Sequence, residues 1–167
     1  MRWTTHQVGA VGLALMLKLP AAGLLAAALG GILPDLFDQR IAACFRSRQK
    51  AFNRIHRGFT HGPGLWLGLL ALALWLIPPQ FSTLAAPAAL GLAAGGLSHV
   101  LLDMLTPQGI PLLPFTHKGR VSLKLCRTGG PGEWLFLAAM LAGLAFWFRE
   151  SLLDKGLAGT LAAVLGL

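Results

Sequence analysis

The segment HRGFTH, residues 56–61, places two imidazoles, a guanidinium and a hydroxyl within six positions of an apolar chain. The 167 residues include only five histidines and six acids, so this concentration is unusual. Histidine and carboxylate are ligands of zinc and related divalent metals. A spacing of five puts His56 and His61 on different helix faces. We therefore expect metal ligands in a loop-to-helix turn, with Gly58 supplying an unusual backbone angle; two interfacial loop histidines are the alternative.

A second pair stands in SHVLLD, where His99 and Asp103 are four residues apart. This spacing puts both side chains on one face of a helix, within reach of a single ion. An Asp–His hydrogen bond without metal is the alternative interpretation.

Two carboxylates stand in PDLFD, where Asp35 and Asp38 follow Pro34. Proline resists a helix interior, so we expect Pro34 to stop the preceding helix. Asp35 and Asp38 are candidate ligands, and either could bridge two ions or act as general base. Capping of a helix by Asp35 is the alternative.

Single candidates complete the ligand set. His6 begins the first apolar segment and Glu133 begins a later one, so both are predicted ligands. Glu133 has the alternative role of an acid at a helix N-terminus, where it complements the dipole. His117 has no acidic neighbour and is predicted to be a loop residue.

The elements that position these residues are apolar. Charged residues make up only 12% of the chain and apolar residues 55%, whereas a soluble domain carries about 25% charged residues. A membrane protein is therefore predicted, and its net charge of +8 fits the positive-inside excess of such proteins. Nucleic-acid binding is the other interpretation of a basic chain.

Prolines and polar loops divide the apolar sequence into helices. The break at LKLP predicts a hairpin of two short helices, with a single kinked span as the alternative. The segment rich in Ala and Gly is predicted to be central, because small residues let helices approach closely. The predicted helices cover residues 5–17, 21–33, 63–77, 83–105 and 133–148, with a short final helix at 156–167.

Basic residues orient this arrangement. Eleven of the 14 lysines and arginines fall at one end of the predicted helices, in residues 40–57, in residues 118–127 and at Arg2. The positive-inside rule makes that end cytoplasmic. His6, the PDLFD acids, HRGFTH, SHVLLD and Glu133 all fall there too. The sequence thus predicts one domain, residues 1–167: an all-α, polytopic membrane bundle of about four to six apolar helices with a metal site at its cytoplasmic face.

The order of His6, LPDLFD, HRGFTH, LSHVLLDMLTPQGIPLL and Glu133 resembles the YdjM-type family over residues 1–148. These bacterial inner-membrane proteins are described as LexA-regulated, metal-dependent hydrolases. The resemblance implies a divalent-metal hydrolase in the bacterial inner membrane.

The chain is more distantly similar to the superfamily of zinc-dependent phospholipases C and single-strand nucleases. His99 and Asp103 match its His-x-x-x-Asp pair, and His6, Asp35 and His61 match other ligands in order. Its late His-x-x-x-Glu pair is incomplete here, because Gly129 stands four residues before Glu133. That departure favours two ions over three.

These residues suggest a mechanism for phosphoester hydrolysis. Two ions, of zinc or alternatively manganese or magnesium, would activate water, with Asp35 or Asp38 as general base. Arg57 is a candidate phosphate clamp, or else a loop charge that sets topology. Thr60 and Thr106 are expected to orient ligands.

The expected substrate is a phosphoester in a lipid head group, because basic loops attract anionic lipid. Nucleic acid is not expected as a partner, and a protein partner is left open. One rival function is a metal transporter, whose ligands should lie near the bilayer midplane. The other is a non-catalytic adaptor that binds a protein or nucleic acid through its basic loops.

Overall fold

The structure is a computed structural model that describes residues 1–75, 84–113 and 119–165. It is mostly helical, as predicted. The helices are α1 (Trp3–Met16), α2 (Ala21–Gly30), α3 (Leu33–Ala43), α4 (Arg48–Ile55), α5 (Pro63–Trp75), α6 (Ala85–Met104), α7 (Pro131–Trp147) and α8 (Arg149–Leu165), with a 3-10 turn at Phe59–His61. Strands β1 (Ile110–Pro111) and β2 (Arg120–Val121) pair antiparallel, a small addition to the all-α prediction.

Helices α1 and α2 form an antiparallel hairpin, the first of the two arrangements considered above. The chain turns where Lys18 adopts φ 54°, and Pro20 is the N-cap of α2. Gln7, near the start of α1, donates a 2.7 Å hydrogen bond to the carbonyl of Ala28, near the end of α2. A single kinked span would have separated these two residues.

The region after α2 differs from the sequence expectation. Helix α2 already ends at Gly30, and Pro34 lies in the first turn of α3. Proline is compatible with that position, because its missing N–H would have no helical partner there. Asp35 and Asp38 therefore lie on a helix. Asp35 does not cap it, since the N-cap is Ile32 and no side-chain cap hydrogen bond forms.

Helix α6 is central, as its composition predicted. It packs against α1, α2 and α5. A Cβ atom added to Gly91 or Gly95 would overlap the backbone of α2, and one added to Gly96 would overlap the indole of Trp66 on α5. These glycines allow the backbones of α2 and α6 to touch.

The remaining helices agree with the prediction within a few residues. Helix α5 reaches Trp75, and the predicted end of this helix at residue 77 lies outside the described residues, as does His117. Helix α8 begins earlier than predicted and is interrupted at Gly156, where φ is 67°. Helix α4 was not predicted, because its sequence RQKAFNRI is basic and polar.

One described helix, Ala85–Met104, is long and apolar enough to cross a membrane. Two bent pairs pass the same test together: Ala21–Gly30 with Leu33–Ala43, bent by 47°, and Pro131–Trp147 with Arg149–Thr160, bent by 95°. The described residues therefore provide one span, or up to three if each bent pair is one. The polytopic bundle of four to six apolar helices stays a prediction.

The contact between α2 and α6 can be tested at Gly95. A Cβ there has no free space, so Gly95→Ala should destabilise the fold by about 1–3 kcal/mol in spite of alanine's better helix propensity. Thermal unfolding in detergent measures this. The control is Gly68→Ala on α5, where an added Cβ meets nothing within 4 Å. Equal melting temperatures for both variants would contradict the close contact.

Candidate metal centre

Four parts of the chain meet at one end of α6 and bring the predicted side chains together. His6 is on the first turns of α1, and its ring stacks on that of His99 with centroids 3.7 Å apart and 13° between planes. His61 lies at the end of the 3-10 turn, and its ring is 5.1 Å from that of His99. Both His61 and His99 have no exposed surface. Helix α3 closes the cluster with Asp35 and Asp38.

Asp35 lies among the imidazoles. Its Oδ1 is 3.3 Å from Nε2 of His61 and 3.8 Å from both Nδ1 of His56 and Nε2 of His99. This oxygen is buried and accepts no hydrogen bond within the described structure. The other oxygen, Oδ2, accepts a 3.2 Å hydrogen bond from the indole of Trp3. Asp35 therefore directs one free oxygen into the cluster.

A backbone carbonyl orients His99. Its Nδ1 is 2.7 Å from the carbonyl oxygen of Gly31. A carbonyl can only accept, so Nδ1 carries the proton and the lone pair of a neutral ring is on Nε2. That nitrogen faces Nε2 of His61 at 3.3 Å. His99 is therefore held in the tautomer that a metal ligand needs.

Asp38 supports its neighbours instead of facing the centre. Its Oδ1 accepts a 2.7 Å hydrogen bond from Thr60, and its Oδ2 accepts one of 3.1 Å from the Arg57 backbone N–H. The same Oδ2 is 3.2 Å from Nδ1 of His56 and 3.5 Å from Nδ1 of His61. Asp38 and Thr60 thus contact the two histidines of HRGFTH, and the orienting role of Thr60 stays a prediction.

Asp103 is the acid on the far side of the cluster. Its Oδ1 accepts hydrogen bonds from the Met1 amino group at 2.7 Å and from Nη2 of Arg57 at 2.9 Å, and it lies 3.4 Å from Nε2 of His6. Its Oδ2 lies 3.6 Å from Nε2 of His61 and faces the centre. His99 and Asp103 do not form the hydrogen-bonded pair considered as an alternative, because their nearest atoms are 3.8 Å apart.

Arg57 points inward and is 4% exposed. Its Nη1 donates to the Thr106 hydroxyl at 2.7 Å and to the Gly109 carbonyl at 3.3 Å. The Thr106 hydroxyl in turn donates to the Asp103 carbonyl at 2.8 Å. Burial lowers the pKa of the Arg57 guanidinium, and the charge of Asp103 opposes that shift. Arg57 and Thr106 thus hold Asp103 in place.

The unusual backbone angle in HRGFTH belongs to Arg57 and not to Gly58. Arg57 has φ 59°, whereas Gly58 has φ −90°. Gly58 is required for space, because a Cβ there would lie 2.7 Å from the carbonyl oxygen of Ile55. The turn therefore directs the Arg57 side chain toward α6, whereas His56 faces α3 and His61 lies between α3 and α6.

Glu133 stands apart from the predicted ligands. Its Oε1 accepts hydrogen bonds from the Arg2 N–H at 2.5 Å and from the Thr5 hydroxyl at 2.8 Å. Its Oε2 accepts one of 2.5 Å from the Gly129 N–H. Glu133 therefore links the start of α7 to the start of α1. This arrangement resembles the alternative interpretation of Glu133 as an acid at a helix N-terminus.

The donor atoms fit a divalent ion. Among the residues that the structure describes, both ring nitrogens of His6 and Oδ1 of Asp35 are buried without a hydrogen bond, and such groups cost about 1–3 kcal/mol each when left unpaired. Carboxylate oxygen and imidazole nitrogen suit zinc, and carboxylate also suits manganese and magnesium. Within the described part of the chain, three overlapping groups have ligand atoms within 4.8 Å of one another: His6, Asp35 and His99; Asp35, His56 and His61; and His61, His99 and Asp103.

These groups contain six of the eight predicted ligands, and Asp38 and Glu133 are outside them. Sequence reasoning missed the indole of Trp3 and the carbonyl of Gly31. Trp3 could have been noticed as an aromatic residue close to His6. A backbone acceptor such as the Gly31 carbonyl cannot be recognised from the residue type, because every residue has a backbone carbonyl.

The fold and the site define a helical protein with a candidate membrane span and, at one end of that span, buried histidines and aspartates that could hold a metal ion. The model of the family described as YdjM inner membrane protein matches residues 1–166. This chain therefore belongs to the YdjM inner membrane protein family.

Individual relatives agree. The chain is 34% identical over 128 residues to inner membrane protein YdjM of Escherichia coli (strain K12). This match covers 72% of the chain and 63% of that protein. The values for inner membrane protein YdjM of Shigella flexneri are the same. The chain thus spans less than two thirds of the length of these relatives. It is 31% identical over 126 residues to the uncharacterized protein YvsG of Bacillus subtilis (strain 168), covering 72% of the chain and 74% of YvsG. No solved structure matches the chain.

The role of Glu133 can be separated from metal binding. Glu133→Gln replaces an acceptor by a donor next to N–H groups, so it should destabilise the fold by about 1–3 kcal/mol. Bound metal should be retained, because the carboxylate is outside the three donor groups. Thermal unfolding and elemental analysis of the detergent-purified protein measure both. Glu150→Gln is the control, since that side chain is 85% exposed. Loss of metal at unchanged stability would make Glu133 a ligand.

Proposed function

We propose that this chain is a membrane-embedded, divalent-metal-dependent hydrolase of phosphoesters. One observation carries the proposal. The ring nitrogens of His6 and Oδ1 of Asp35, all potential metal ligands, are buried and make no hydrogen bond among the described residues, and they lie beside the oriented Nε2 of His99. Zinc is the preferred ion, with manganese or magnesium as alternatives. Bound ions of this kind supply Lewis-acid polarisation of a phosphoester and a more acidic water.

The overlap of the donor groups favours two ions. Asp35 belongs to two of the three groups, and so do His61 and His99. Asp35 would be better placed than Asp38 to hold an ion, because within the described residues its Oδ1 accepts no hydrogen bond whereas both oxygens of Asp38 do. In the alternative role of general base, the same free oxygen would also favour Asp35 over Asp38.

The substrate would approach from the side of α3. Asp35 and His56 have the most exposed side chains among the histidines and aspartates of the cluster, at 12% and 24%. Trp3, which is 46% exposed, lies beside Asp35. The opposite side is closed by Arg57 and Asp103. We therefore assign Arg57 to positioning Asp103, in place of the phosphate clamp expected from sequence.

A phospholipid head group is the favoured substrate. The cluster lies at one end of α6, the candidate span, and the segments near it are basic. Basic residues near a membrane surface attract anionic lipid at about 1 kcal/mol each. By the positive-inside rule, the same excess of basic residues favours a cytoplasmic location for this end.

An adaptor is the second candidate function. Helix α4 has no buried residue and carries exposed Arg48, Lys50 and Arg54. A basic face of this kind suits an acidic partner protein or nucleic acid. Binding that persists after loss of the metal would favour it.

The metal site is tested by Asp35→Asn and His99→Ala. About two ions per chain are expected in the wild type after mild purification, because the donor groups overlap. Both variants should lose metal, and hydrolysis should fall by about 100-fold or more when the base and a ligand are removed. Elemental analysis and release of phosphorylated head groups from phosphatidylglycerol vesicles measure these outcomes.

Asp154→Asn is the matched control, because Asp154 is exposed on α8. It should keep both metal and activity. A wild type that binds no metal after incubation with zinc or manganese would remove the hydrolase proposal. A wild type that binds metal but cleaves no phosphoester would support the metal site and contradict the proposed hydrolase activity.

A further inference from the structure

A second site lies between α1, α6 and α7. It is an apolar groove of about 500 Å³. On α6 the lining residues include Ser98, Leu101 and Leu102, and none of the histidines or aspartates of the metal centre lines the groove. The groove is therefore separate from the proposed catalytic site.

Residue types at the groove suit a long, flexible apolar ligand. Gly143 on α7 lines it, and a Cβ added there would meet nothing within 4 Å, so this part of the lining is open space. Met16, Met104 and Met140 also line it. Methionine side chains adapt to irregular apolar partners, so the lining can follow a hydrocarbon chain.

One end of the groove is next to cationic residues. The N–H groups of Leu123 and Leu125 donate 2.8 Å hydrogen bonds to the carbonyls of Met104 and Leu105, both of which line the groove. Lys124 stands between these two leucines and is exposed.

Arg127 follows three residues after Lys124 and is also exposed. Between them, Cys126 packs against Leu102, with Met140 beside it, so the segment lies against the groove lining. Two positive charges thus stand where an apolar groove reaches the basic end of a membrane protein.

We propose that this groove binds an acyl chain of an anionic phospholipid, with the lipid phosphate at Lys124 and Arg127. Lipid hydrocarbon is the apolar ligand that a protein of the inner membrane meets, and the cationic end selects an anionic head group over a zwitterionic one. This site goes beyond the proposed hydrolase. It is a lipid-binding site and does not depend on whether the protein cleaves its substrate.

The experiment measures lipid retained by the full chain. Protein is reconstituted in bilayers with equal amounts of phosphatidylglycerol and phosphatidylcholine of the same acyl chains, extracted again in mild detergent, and its lipid is quantified by mass spectrometry. Wild type should be enriched in phosphatidylglycerol, by about fivefold for each cationic side chain at the head group. Gly143→Leu adds apolar bulk at a position where a Cβ meets nothing within 4 Å, so this variant should lose most of the retained lipid.

Gly68→Leu is the control for the added bulk, because Gly68 is also on a helix and has nothing within 4 Å of an added Cβ. It should retain lipid like the wild type. Lys124→Gln should reduce the preference for phosphatidylglycerol about fivefold, and Lys50→Gln, an exposed change on α4, should not.

Two results would overturn the proposal. One is equal lipid retention in wild type and Gly143→Leu. The other is retained lipid of bulk composition in the wild type. Metal content is measured in the same samples and should be unchanged by Gly143→Leu, so failure of this site and failure of the metal site can be told apart.

Discussion

The backbones of α2 and α6 touch because glycines stand at their contact, with Gly91 and Gly95 against α2 and Gly30 against α6. This contact brings the Gly31 carbonyl to Nδ1 of His99. The hydrogen bond fixes the proton on Nδ1 and turns the Nε2 lone pair toward His61. The packing of small residues therefore determines which tautomer the His99 imidazole adopts. A substitution at the contact between α2 and α6 would alter the candidate metal centre without changing any of its ligand residues.

The three buried aspartates differ in how their charge is balanced. Asp38 is satisfied by Thr60 and the Arg57 backbone, and Asp103 by the Arg57 side chain and the Met1 amino group. Asp35 receives one hydrogen bond from Trp3 and keeps a bare oxygen among three histidines. A buried carboxylate oxygen without a hydrogen bond raises the free energy of the folded state, so a cation at this position would stabilise the fold. Metal binding and folding are then expected to be coupled.

The spacing on single helices and the meeting of these segments at one end of α6 were predicted, whereas the individual hydrogen bonds between segments were not. The four-residue separation of His99 and Asp103 correctly placed them on one face of α6, and the apolar segments gave most helices. Helix α3, whose first turn contains Pro34, was missed because proline can begin a helix as well as end one. Glu133 was assigned as a ligand by its position at a helix end, which cannot reveal that Arg2, Thr5 and Gly129 occupy its oxygens. Partners distant in sequence decide which acid keeps a free oxygen.

The position of the cluster along α6 bears on the choice between an enzyme and a transporter. His99 is five residues before the end of Ala85–Met104 and Asp103 is one residue before it, which is about 7.5 Å and 1.5 Å along a helix. A transport site is expected near the bilayer midplane on broken helices, whereas α6 is continuous through both residues. If Ala85–Met104 crosses the bilayer, these side chains lie within two turns of the end of the span, near the level of the lipid head groups. A centre at that depth can reach a phosphoester of the lipid while the hydrocarbon stays in the bilayer, which favours hydrolysis at the surface over passage of an ion across it.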